Sequence, residues 1–169
     1  PSDNPFFNNS NANAKKVFSL GHRNSFGFAF HEHTNDLWQT ENGPQDNDEI
    51  NRIVRGGNFG WPTWRGIVNQ AGFIDPILAF TPVFAPTGII SIPSNSSVYP
   101  ASYHNNLLFV DFNTGRVRRI VLSGEGLSEL GSLSIGYNGG QGGLLSLMLG
   151  GDGYIYVSSL SGIYRIVAQ

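Results

Sequence analysis

The chain has 169 residues, a formal net charge of −2 and only 13% Asp, Glu, Lys and Arg. That length supports one domain with a sizeable core, and the absence of a basic block removes the electrostatic footprint expected of a nucleic-acid or anionic-membrane binder. There is no cysteine, which excludes disulfides, thiolate metal sites and a Cys nucleophile.

The many glycines and aromatic residues favour strands and tight turns over helices. No stretch approaches the ~20 apolar residues of a membrane span. Residues 1–15, rich in Asn, Pro and Ser, read as a surface loop. The opening Pro1-Ser2-Asp3-Asn4-Pro5-Phe6 reads as mid-loop, so the chain is expected to be a fragment or the mature part of something longer. Residues 16–20 fit a short strand. Phe26, Phe28 and Phe30 alternate with Gly27 and Ala29, a period-2 strand with one bulky face. Short strands are predicted over 37–40 and 50–54, a long structured loop over 56–76, and a strand over 88–92 between prolines.

A repeat then emerges. Asn106-Leu107-Leu108-Phe109-Val110-Asp111 followed by Gly115-Arg116-Val117-Arg118-Arg119-Ile120 is a strand, a turn and a strand. Asp152-Gly153-Tyr154-Ile155-Tyr156-Val157 followed by Gly162-Ile163-Tyr164-Arg165-Ile166 has the same design, and residues 36–53 give a looser version. All-β units recurring every few tens of residues predict propeller blades, and at about four strands each the chain supplies about three to four of them. A β-sandwich is the competing architecture, with strands spaced more evenly.

The chemistry-bearing residues crowd into the first third. At Arg23-Asn24 a guanidinium fork stands beside a carboxamide, which suits a planar carboxylate ligand; a surface Arg beside a turn-forming Asn is the plainer alternative. Glu41-Asn42-Gly43-Pro44 exposes backbone carbonyls, hard oxygen ligands that suit calcium, or is an ordinary turn. Asp46, Asp48 and Glu49 form an acidic cluster without EF-hand spacing, either a calcium loop or a solvated one. His31 and His33 share a strand face by period, yet border a turn, and a transition-metal site there is disfavoured. Trp61, Trp64 and Arg65 have the composition of a sugar platform, with loop packing as the default. There is no Gly-x-Ser-x-Gly elbow, and the glycine run 139–143 lacks the Lys-Ser/Thr of a P-loop.

Taken in order, Gly21-His22-Arg23-Asn24, Glu41-Asn42-Gly43-Pro44, Asp48-Glu49-Ile50-Asn51, Asn58-Phe59-Gly60-Trp61-Pro62, Ala85-Pro86-Thr87-Gly88 and the closing Asp-Gly hairpin resemble the second half of the soluble quinoprotein glucose/sorbosone dehydrogenases. The resemblance implies an all-β, six-bladed β-propeller. Residues 1–169 would be the C-terminal part of that single domain, about its last three to four blades, completed by a missing propeller half or a partner chain. It implies pyrroloquinoline quinone (PQQ) and calcium as cofactors, an aldose oxidised at its anomeric carbon, and an extracellular or periplasmic location. It leaves a homo-oligomer open.

Carried over by position, the resemblance makes Arg23 and Asn24 quinone contacts. Gly43 and Pro44 become the carbonyls that hold calcium beneath the quinone. Glu49 and the Phe59 carbonyl become ligands of a second, structural calcium. The family usually has Tyr where Phe59 stands, a change that a backbone ligand tolerates. Its catalytic His comes from the half outside this chain, and none of the four His here takes that place. The family's quinone-binding Arg-x-Arg pair falls on Gly143 and Leu145, and its quinone-binding Lys is absent from residues 112–115. The rival reading is therefore a non-catalytic, calcium-stabilised propeller that binds a glycan or a protein partner.

Overall fold

A computed structural model describes residues 1–123, 126–133 and 143–167. Three antiparallel sheets follow one another along the chain. The first holds β1 (Ser25–Phe30), β2 (Leu37–Glu41), β3 (Asp48–Ile53) and β4 (Leu78–Phe80) in sequence order. The second holds β5 (Pro86–Ser91), β6 (Leu107–Asp111), β7 (Val117–Ser123) and β8 (Gly126–Leu133). The third has β9 (Leu144–Leu149), β10 (Ile155–Ser159) and β11 (Ile163–Ile166). Each sheet's first strand packs beside that of the next, β1 on β5 and β5 on β9, so the sheets radiate as blades from a common axis. This is a β-propeller arrangement, with three blades among the described residues. Among the described residues no helix is long and apolar enough to cross a membrane.

The period of two explains the packing. All five residues of β6 are buried, because both faces of that strand are covered. Leu107 and Phe109 join Trp38, Ile50, Phe84, Ile89 and Ile120 in the core between the first two blades. Leu108 and Val110, the alternate residues, join Ile92, Val117, Leu144, Leu147, Ile155 and Val157 in the core between the last two. A hydroxyl relay stitches the blades near the axis. The Gly27 N–H donates to Thr40 Oγ1 (2.8 Å), Thr40 Oγ1 to the Thr87 carbonyl, and Thr87 Oγ1 to the Leu144 carbonyl (2.9 Å).

Two expectations shift. Residues 16–20 are not a ladder strand: Ala14–Lys16 is a 3₁₀ turn, and 18–21 runs beside loop 56–61 instead. The strands β4, β8 and β9 were not anticipated. Residues 139–142 of the glycine run lie outside the described residues, while Gly143 leads into β9.

Candidate functional site

The site is built where residues 18–23 lie on loop 56–66. Leu20 N–H donates to the Gly57 carbonyl (2.9 Å), Phe59 N–H to Leu20 (2.9 Å) and Trp61 N–H to Gly21 (2.9 Å). Gly21 has φ +79°, and a Cβ there would collide with the Asn58 side chain and the Phe59–Gly60 backbone, so only glycine permits this approach. The segment delivers His22 onto Phe59, ring centroids 4.7 Å apart, and Arg23 over the Trp61 ring at 5.3 Å.

Strands β2 and β3 supply a buried polar face beneath. Glu41 and Glu49 are register partners, with Gln39 and Asn51 beside them on the same side. Glu41 accepts from His22 Nδ1 (3.0 Å), the Arg23 N–H and Gln39 Nε2 (3.1 Å). Glu49 accepts from the Gly66 N–H (2.7 Å) and Asn51 Nδ2 (3.2 Å). Burial pushes the Glu49 carboxyl above its ordinary value, and nearby Glu41 adds to the push; the Gly66 and Asn51 hydrogen bonds work against it.

Above this network opens a shallow cleft, lined among others by Arg23, Gly43, Pro44, Glu49, Phe59 and Trp61. The structure thus gathers five of the six residues expected to hold cofactors. The sixth, Asn24, is exposed outside that lining, and its carbonyl accepts the Asn42 N–H (3.0 Å). Arg23 Nη1 donates to the Asn42 carbonyl (2.7 Å). No described residue donates to the Gly43, Pro44 or Phe59 carbonyl oxygens, and the buried Asn42 Oδ1 on the same lining also lacks a partner. Carbonyl oxygens with spare lone pairs, on residues of a lining that also holds a carboxylate, are hard donors of the kind a cation such as calcium takes.

The acidic cluster does not act as one loop. Asp48 and Glu49 are consecutive in β3 and point to opposite faces. Asp48 accepts from the Gly43, Phe84 and Ala85 N–H groups, while Asp46 sits 3.5 Å from Arg65 at the surface. His31 is buried, with Nε2 on the Asn105 carbonyl (2.8 Å) and Nδ1 at Thr34, and among the described residues no His, Asp or Glu trio could hold a metal. Trp61, Trp64 and Arg65 all line the cleft; Trp64 also packs edge-on to Phe73, and Trp61 lies under Arg23. Glu41, Asn42, Gln39 and Asn51 were not singled out as side chains. Their signal was the polar alternation Gln39-x-Glu41 and Glu49-x-Asn51 on adjacent strands.

Gly143 is buried, and a Cβ there would fall on the Phe112 backbone. Leu145 is 38% exposed. Neither position offers a cation to the site.

Comparison with known proteins places these features in a group. Residues 1–162 match the family described as Glucose / Sorbosone dehydrogenase. The chain is 45% identical over 73 residues to quinoprotein glucose dehydrogenase B of Acinetobacter calcoaceticus, covering 43% of this chain and 14% of that protein. The crystal structure of the soluble aldose sugar dehydrogenase of Escherichia coli, in its apo form, superposes with a TM-score of 0.81 at 26% identity, over 98% of this chain and 50% of that one. The PQQ-bound aldose sugar dehydrogenase of Streptomyces coelicolor gives 0.64 at 28% identity, over 83% and 38%. The chain spans half or less of these relatives' own length.

Proposed function

The chain belongs to the glucose and sorbosone dehydrogenase family, and on that premise we propose that the complete protein is a sugar dehydrogenase that oxidises an aldose at its anomeric carbon with PQQ and calcium. Residues 1–169 are, in this reading, the C-terminal part of one propeller domain, with the preceding blades closing its two open flanks. An extracellular or periplasmic location accompanies the reading. The observation that carries it is the meeting of Arg23, Gly43, Pro44, Glu49 and Phe59 in the lining of one cleft.

The residues present fit calcium: the cleft's lining residues include three whose carbonyl oxygens no described residue engages, a carboxylate and an unpartnered carboxamide oxygen. They fit a polycarboxylate quinone on one side. The Arg23 guanidinium, over the Trp61 ring and engaged with the Asn42 carbonyl, keeps donors for an anionic ligand. Arg65 lines the same cleft as a second cation, whereas Gly143 and Leu145 carry no charge to add. The chemistry a bound quinone supplies is acceptance of the sugar's hydride, its carbonyl polarised by calcium. This chain's own task is to hold, orient and desolvate; the base that takes the hydroxyl proton is not among its residues.

The close contact of Gly143 with Phe112 favours a second reading, a calcium-stabilised propeller that binds a glycan or protein partner without the quinone. Titrating PQQ into the calcium-loaded complete protein, followed by absorbance and by dye reduction with aldoses, separates the two. Tight binding with sugar-dependent reduction is expected. A folded protein that takes up calcium but no quinone would overturn the enzyme reading.

A further inference from the structure

We propose that Asp48, on the face of β3 opposite Glu49, is the residue that positions the Gly43–Pro44 carbonyls, and that it does so by anchoring their turn to the next blade. The inference rests on the reading of those carbonyls as calcium ligands.

The Asp48 side chain is 1% exposed and both its oxygens are engaged. Oδ1 accepts the Gly43 N–H at 2.9 Å; Oδ2 accepts the Phe84 and Ala85 N–H groups at 2.6 and 2.7 Å. The Gly43 N–H belongs to the same peptide unit as the Asn42 carbonyl, which takes Arg23 Nη1 at 2.7 Å. That unit is therefore gripped at both ends, by a cation on the carbonyl and an anion on the N–H, and charge-assisted bonds of this kind are the strong ones. Downstream, the Pro44 ring restricts φ. Gly43 itself is hemmed in, because a Cβ there would fall on the Asp46 carbonyl. With the peptide unit before Gly43 held and the residue after it restrained, the direction of the Gly43 carbonyl is largely set.

The other end of the anchor is equally fixed. Ala85, a non-glycine residue at φ +57°, directly precedes β5. Its carbonyl accepts the Phe112 N–H (2.9 Å) and the Phe84 carbonyl the Asn113 N–H (3.0 Å). Left-handed backbone at a residue with a Cβ persists only where its surroundings enforce it. Asp48 thus ties the turn to a segment that the second blade holds from its far side, which makes the carbonyls' placement a property of two blades.

The test is calcium affinity, read by titration calorimetry on the metal-stripped complete protein without quinone. Asp48→Asn turns an NH₂ toward one of the two arms. Asp48→Glu keeps the charge but moves it by one methylene. Thr40→Val removes the Thr40–Thr87 link between the same two blades without touching Gly43. Positioning predicts that Asp48→Asn and Asp48→Glu each weaken calcium about 10-fold or more, while Thr40→Val binds as wild type. Wild-type affinity in Asp48→Glu would assign the effect to charge alone and overturn the proposal. Equal loss in Thr40→Val would reduce Asp48 to a general blade contact and overturn it too. A wild-type protein that takes up no calcium would instead remove the calcium reading from which the proposal starts.

Discussion

Gly143 and Phe112 meet so closely that no side chain fits between them. Gly143→Arg should cost about 3 kcal/mol or more through overpacking, seen as a lower urea midpoint, whereas Leu145→Arg, at a partly exposed position, should be nearly neutral. Glu49 gives a pH prediction. Its folded-state pKa is raised by burial, so the native state holds that proton more tightly than the unfolded chain does. The stability this group contributes is therefore fully present below its ordinary value of 4.5 and is lost as pH rises through the folded-state value. Thermal melts of the metal-stripped protein from about pH 4 to 8 should show this loss, with a flatter profile in Glu49→Gln. Added calcium should stabilise most at the upper end, where the carboxylate is ionised.

At the scale of elements, the blades are joined less by ladder bonds than by side chains that cross between them. Thr87 is the clearest case, since its hydroxyl reaches the Leu144 carbonyl of the third blade and its own carbonyl receives Thr40 from the first. Thr87→Val keeps the shape and deletes the donor. It should cost about 1–3 kcal/mol, measured as a shift in denaturant midpoint at unchanged slope. The hairpins were readable because alternation and turn residues mark β6, β7, β10 and β11. Strand β8 was not, for Gly126–Leu133 carries Gly, Ser and Glu and is held as a strand by pairing with β7. Strand β9 was hidden behind the glycine run that precedes it.

For the molecule as a whole, both ends of the blade row are apolar and open. Phe26, Phe28 and Phe30 on β1 are 55%, 58% and 63% exposed, and Met148 and Ile163 on the last blade 63% and 75%. Such faces are interfaces awaiting a partner. Expressed alone, the 169-residue chain should self-associate in sedimentation velocity, and replacing the three phenylalanines with Ser should shift it toward monomer. A wild-type chain that stays monomeric at high concentration would contradict the reading of these faces as blade interfaces.

The all-β class, the blade-like hairpins and the crowding of functional residues between 21 and 61 followed from residue order alone, because turn chemistry and period-2 patterning are local properties. The pairing of Glu41 with Glu49, the gathering of Arg23, Gly43 and Phe59 at one cleft, and the separation of Asp48 from Glu49 were decided by tertiary structure. Adjacent residues on a strand face opposite ways, and what meets each face depends on a loop and a blade that are distant in the chain. For the same reason the glycine at 143 read as a missing charge in the sequence and became, in the fold, a position with no room for one.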